Sequence, residues 1–423
     1  MSRPLLHRLT PFLRNVGPGV ITGAADDDPS GIAAYSQAGA QFGYGLGWSM
    51  LLTYPLMVAV QLVSARIGRV TGAGLARNLA TVFPKPVAAL LVATVVFANT
   101  LNIGADLAAM GDAAALAFGG NAHLYVLGFT ALSTGLQIQV PYRRYAHVLK
   151  WLTLSLFAYV GVLFAVDVDW RAALSGLFLP HAIDAAAMVT IVAVFGTTIS
   201  PYLFFWQSSQ EAEDISTVKG AHRLVDHPTG ASHELRRIRD DTFGGMAFSN
   251  LVALAIMTAT AATLHARGLT RIDTAAQAAQ ALRPIAGAFS SDLFALGIIG
   301  TGLLAVPVLA GSAAFAVGEL RGWRTGLEYR FRQAPAFYLV IATSTVCGVA
   351  LQWASVDPIK ALVWSAVVNG VASVPLIFAI MLLGRNRRIM GAYTSGRVLT
   401  FFGWLSGAVM AAAAVAMLVS LAV

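Results

Sequence analysis

Three consecutive carboxylates, Asp26, Asp27 and Asp28, interrupt the apolar stretch GPGVITGAADDDPSGIAAYSQAGAQFGYG, residues 17–45. Such a stretch is too apolar for a soluble loop and too acidic for an inert anchor. Asp28 follows Val16 by 12 residues, so a helix would carry it ~18 Å into a hydrocarbon layer ~30 Å thick. Carboxylates at that depth are costly and by default mark an ion path or a substrate site. Three like charges in a low dielectric need a cation to remain ionised together, so the chemistry they suit is cation binding. Pro29 and Gly31 follow immediately and predict a break in the helix. Because Pro29 has no N–H, the carbonyl of Ala25 is left as a second oxygen ligand beside Asp28. Consecutive helical residues point about 100° apart, so Asp26, Asp27 and Asp28 cannot all face one ion. The alternative for Asp26 and Asp27 is solvation in a wet vestibule.

A second constellation is AVFGTTISPYLFFWQSSQEAED, residues 193–214. Pro201 frees the carbonyl of Thr197, and Ser200 adds a hydroxyl oxygen at the same level. The other reading is a proline kink with Ser200 bonded to its own helix. Tyr202 and Trp206 lie one turn apart and either line a passage or pack. In FANTLNIGADLAAMGDA, residues 97–113, Asp106 is a candidate for ion or proton relay or a carboxyl bonded within the bundle. Asn369, in SAVVNGVASVP, is a further polar candidate for the pathway.

These residues need membrane helices to position them. The chain has 423 residues, 57% hydrophobic and 11% charged, a balance that suits a polytopic membrane protein. Eleven spans are expected, near 17–41, 46–65, 86–115, 121–138, 145–166, 186–209, 243–265, 288–318, 336–353, 358–383 and 399–421. With the N-terminus inside, only Arg171, Arg267, Arg271, Arg283 and Lys360 of the 28 basic residues fall outside. That asymmetry follows the positive-inside rule, and it assigns the net charge of +8 to topology rather than to nucleic-acid binding. Residues 210–242 are expected to form one long polar loop inside, carrying at most a short surface helix. No cleavable leader is expected, because no small-residue cleavage site follows a short apolar core after the basic start. The single Cys347 excludes an internal disulfide and a CxxC site. No phosphate loop and no HExxH occurs, so enzymatic chemistry is not expected. GTGLL near Gly300 is a helix-packing pattern.

Gly23 with Pro29 in the first span echoes Gly196 with Pro201 in the sixth, and the two spans run in opposite directions. Each leads a block of five, as in inverted-repeat transporters. The repeats are expected at about 17–166 and 186–383, with an extra helix at 399–421, within a single transporter domain.

With these motifs in hand, the chain resembles the Nramp family of divalent-metal transporters, and within it the Nramp-related magnesium transporter branch. The resemblance covers all eleven spans. It is most specific in the first span and in SARIGRVTG after the second, and NTLNIGADLAAM and the proline of the sixth add to it. It implies an all-α LeuT-type fold of two inverted five-helix units, with the ion between unwound parts of helices one and six. Manganese and iron members carry Asp-Pro-Gly-Asn in helix one, where this chain has Asp28-Pro29-Ser30-Gly31. Their Met-Pro-His of helix six falls on Ser200-Pro201-Tyr202, their second histidine on Trp206, and their helix-three acidic pair on Asp106 and Ala109. The thioether ligand and much of the proton route are therefore replaced. A site of carboxylate, hydroxyl and carbonyl oxygens suits Mg²⁺, Mn²⁺ or Ca²⁺, and Gly31 and Ser200 leave room for a hydrated ion.

The expected function is alternating-access transport of a divalent cation in a bacterial-type inner membrane, with Mg²⁺ preferred, Mn²⁺ tolerated and proton coupling weak or absent. Asp28 is the ligand, the carbonyls of Ala25 and Thr197 and the hydroxyl of Ser200 assist, and Asp26 and Asp27 set the field. The metal is cargo, no resident cofactor is expected, and the partners are the ion and the bilayer. The rivals are a proton-coupled Mn²⁺/Fe²⁺ importer, a symporter of organic substrates, and a non-transporting membrane sensor.

Overall fold

In a computed structural model, the residues described are 18–140, 152–180, 184–217, 222–228, 230–352 and 357–422. Arg3, Arg8, Arg14, Arg143, Arg144, Lys150 and Lys219, all counted on the inner side, lie outside them. The fold is all-α. A bilayer offers no partner for free backbone groups, so each apolar run closes its own hydrogen bonds as a helix. The main helices are α1 (Pro18–Asp26), α2 (Pro29–Phe42), α3 (Gly47–Thr71), α4 (Leu75–Val82), α5 (Lys85–Phe118), α6 (Ala122–Gln139), α7 (Phe157–Ala165), α8 (Trp170–Phe178), α9 (Ala185–Thr198), α10 (Pro201–Thr217), α11 (Ala231–Thr263), α12 (Ser290–Arg321), α13 (Pro335–Gln352), α14 (Pro358–Arg385) and α15 (Arg397–Ala422). Short helical turns join several of them.

Each of the eleven expected spans contains helix, although residues 145–151 of the fifth lie outside the described set. By length and composition, seven continuous helical stretches among the described residues are long and apolar enough to cross a membrane. One stretch, Pro29–Thr71, holds both α2 and α3.

Both expected breaks are present. The first span divides into α1 and α2 around Asp27–Asp28, and the sixth into α9 and α10 around Ile199–Ser200. Proline alone does not account for them, because α3, α12 and α14 continue through Pro55, Pro307 and Pro375. At the first break Asp28 is extended, with φ −71° and ψ 171°, and its carboxylate caps α2 while Pro29 occupies the first turn.

The expected long loop at 210–242 is much shorter. Helix α10 runs to Thr217 and α11 begins at Ala231. Ion pairs let both helices continue past their apolar stretches: Arg237 of α11 meets Glu211 of α10 at 2.6 Å and Glu234 at 3.1 Å. Arg69 of α3 meets Glu234 at 2.9 Å. Hydropathy marks the end of the apolar layer, whereas these helices end later.

Small residues bring the broken helices onto their neighbours. A Cβ on Gly23 of α1 would stand 2.2 Å from the Gly245 carbonyl oxygen of α11. One on Gly196 of α9 would stand 2.0 Å from the Ala366 oxygen of α14. The breaks themselves touch, since the Tyr202 hydroxyl of α10 donates to the Ala25 carbonyl of α1 at 2.9 Å.

Candidate ion-binding site

Asp28 lies in the first break and is 1% exposed. Its Oδ1 accepts from the Ser30 hydroxyl at 2.6 Å and from the Gly31 N–H at 2.7 Å. Its Oδ2 accepts from Asn102 Nδ2 of α5 at 3.0 Å. The same amide donates to Asp106 Oδ2 at 3.0 Å. One neutral side chain therefore links two buried carboxylates. Asn369 of α14 completes the line, its Nδ2 donating to Asn102 Oδ1 at 2.8 Å.

Asp26 and Asp27 turn to another helix. The Ser249 hydroxyl of α11 stands 2.5 Å from Asp26 Oδ2 and 3.1 Å from Asp27 Oδ1. One hydroxyl proton cannot serve both carboxylates at once. The three aspartates thus divide between α11 and α5, as their helical spacing anticipated. Among the described residues, no group of three or more His, Cys, Asp and Glu side chains is arranged to hold a metal.

The oxygens expected at the breaks all take part in hydrogen bonds. Ala25 O is not an idle acceptor, because Tyr202 donates to it. The Thr197 carbonyl and the Ser200 hydroxyl bond each other at 2.7 Å, and Ser200 also reaches Gly196 O at 2.6 Å. Proline did free a carbonyl, and the adjacent hydroxyl closed over it. Each carbonyl keeps a second lone pair, and the Ser200 hydroxyl, being the donor, keeps its own, so these bonds still leave oxygen lone pairs for a cation. The Thr197 hydroxyl meets the Tyr35 hydroxyl at 3.1 Å. Tyr202 is 1% exposed, so it plugs the junction of α1 and α10. Trp206 packs edge-on against Phe315, with centroids 6.2 Å apart, the packing alternative rather than the passage one.

Asn102 and Ser249 were absent from the predicted site. Asn102 precedes Asp106 by one helical turn, a same-face spacing visible in the sequence. Its contact with Asp28, and every contact of Ser249, depends on tertiary packing. Met110, one further turn along α5, fills the space at Gly302 beside the Pro29 ring.

A family model described as natural resistance-associated macrophage protein-like matches residues 19–420. The chain belongs to the Nramp family. Its relatives include a divalent metal cation transporter MntH of Chromohalobacter salexigens, 26% identical over 400 residues, 92% of this chain and 86% of that protein. Another of the same name, from Burkholderia ambifaria, is 27% identical over 396 residues, 91% of this chain and 83% of that one. The fold is that of the Eremococcus coleocola manganese transporter, with a TM-score of 0.72 at 17% identity, covering 99% of this chain and 88% of that chain. It also matches the nucleobase-cation symporter Mhp1 in a closed conformation, with a TM-score of 0.62 at 14% identity, covering 96% of this chain and 93% of that chain. This Nramp member therefore has the expected LeuT-type architecture, and it is not an enzyme.

Proposed function

We propose that this Nramp-family member carries divalent cations across the membrane by alternating access, with Mg²⁺ preferred and Mn²⁺ tolerated. One observation carries the reading. A buried carboxylate, Asp28, stands in the break of a membrane helix, and hydroxyl and amide groups supply every hydrogen bond made to it. Relatives that bear the name divalent metal cation transporter support the cation class. Hard oxygen surroundings favour Mg²⁺ and Mn²⁺ over soft ions, and position 200 holds Ser rather than a thioether. Asp26 Oδ1, Asp27 Oδ2 and Asp106 Oδ1 are buried acceptors without a hydrogen-bond partner among the described residues. The water shell of a dication offers the donors that such acceptors need. Asp28 is the primary ligand in this reading, Asp26 and Asp27 contribute field, and Ala25, Thr197 and Ser200 assist through the lone pairs their hydrogen bonds leave free. The repeats at about 17–166 and 186–383, an inner-membrane location and a cytoplasmic N-terminus belong to the same proposal, the last supported by the charge asymmetry.

The fold shared with a manganese transporter favours a second reading, a carrier of Mn²⁺ and softer ions. Uptake into proteoliposomes separates the two. Asp28→Ala is expected to abolish Mg²⁺ and Mn²⁺ uptake while the protein still inserts, and excess Mg²⁺ is expected to inhibit Mn²⁺ uptake. Wild-type uptake by Asp28→Ala would remove the site assignment. Strong inhibition by Cd²⁺ with none by Mg²⁺ would return the chain to the softer-ion reading.

A further inference from the structure

Asn102 and Asn369 sit 267 residues apart in sequence, and both are fully buried. A carboxamide has one face that donates and one that accepts, so its orientation is a chemical choice. At Asn102 the neighbours permit one orientation. With Nδ2 toward the acids, two N–H groups meet two carboxylate oxygens, each at 3.0 Å. Turned over, the amide would place its oxygen against both carboxylates and its N–H groups against the N–H groups of Asn369. All three contacts would then pair like with like. Asn369 must accordingly present its nitrogen, and it does so at 2.8 Å. Its own Oδ1 is left buried and without a partner among the described residues.

We infer that Asn102 is a positioning residue for ion binding, and that Asn369 acts through it by fixing which way its amide faces. The inference rests on Asp28 as the ion ligand. Three elements meet in this relay: the break between α1 and α2, the middle of α5 and the middle of α14. Asn102 holds the Asp28 carboxylate in one pose and neutralises part of the repulsion from Asp106 without adding a charge. An arriving dication then meets a carboxylate already aimed. Removing either amide loosens the hold on Oδ2 while Ser30 and Gly31 still hold Oδ1, so ion capture suffers before turnover does. Hydrogen bonds to charged groups are strong enough that one loss is expected to raise KM by about tenfold.

The test is Mg²⁺ uptake by the full chain in proteoliposomes, read as KM and kcat for Asn102→Ala, Asn369→Ala and the double variant. Each single variant is expected to raise KM by about tenfold, with kcat changed less. The double variant is expected to match Asn102→Ala alone, because in the relay Asn369 acts on Asp28 by orienting Asn102. Multiplying effects, or an Asn369→Ala variant with wild-type KM, would overturn the relay. Should the alanine variants fail to insert, Asn102→Ser and Asn369→Ser go through the same cycle under the same criterion. Asp28→Ala, run alongside, tests the ion-site reading separately. Undiminished uptake there removes the ligand assignment, whereas lost uptake there with independent asparagines removes the relay alone.

Discussion

Ser30, Gly31 and Asn102 each donate to Asp28, and none of the three carries a charge or a transferable proton at working pH. When the ion leaves, Asp28 keeps three donors, which lessens its own demand for a proton and leaves any uptake to the neighbouring acids. The histidines that move protons in other Nramp members fall here on Tyr202 and Trp206, and both are engaged in packing or in bonds between helices. Mg²⁺ entry should therefore cause little acidification of a proteoliposome loaded with a pH-sensitive dye. Robust Mg²⁺-dependent acidification that disappears in Asp106→Asn would show a working proton route instead. At this scale the acids were legible in the sequence, because a carboxylate run inside an apolar stretch is conspicuous. Their partners were not. Asn102 lies 74 residues from Asp28, and Ser249 lies 223 from Asp26, and no local pattern announces either contact.

Helices α1 and α9 lie against α11 and α14 through glycine, with no room for a side chain. At Gly196 an added Cβ would stand 2.0 Å from the Ala366 oxygen and 2.5 Å from the Gly370 nitrogen, both backbone atoms of α14. Backbone cannot step aside as a flexible side chain can, so the helices must separate. Gly196→Val is expected to lower the melting temperature in detergent, at a cost of about 2–3 kcal/mol or more. Gly128 of α6 has nothing within 4 Å of its Cβ position, so Gly128→Ala should melt as wild type does. The breaks in the first and sixth spans were legible because proline coincides there with polar neighbours. The overrun of α10 and α11 was not, because it depends on ion pairs formed between helices rather than on hydropathy.

Across the whole bundle, charge gathers where α3, α10 and α11 meet. Glu211 is fully buried, Arg237 bonds both Glu211 and Glu234, and Arg69 closes the group. Removing one partner of such a pair costs more than removing both, since a single removal strands a buried charge. Arg237→Ala should destabilise the protein by about 2–3 kcal/mol, allowing for its partial exposure. The double variant Arg237→Leu with Glu211→Leu should recover much of that loss, read as melting temperature. Equal losses in the two would mean that a stranded Glu211 carries no penalty of its own. The cap that Asp28 places on α2 has a consequence of a different kind. The first turn of a helix carries a partial positive charge, and Asp28 spends part of its own charge on that end. If Asp28 holds the ion as proposed, a cation arriving there meets a carboxylate already partly answered, and its residence is expected to be short. Brief residence is a handicap for a scavenger of scarce metal. For a carrier of an abundant ion it is an advantage, because throughput is then set by how quickly each cargo lets go.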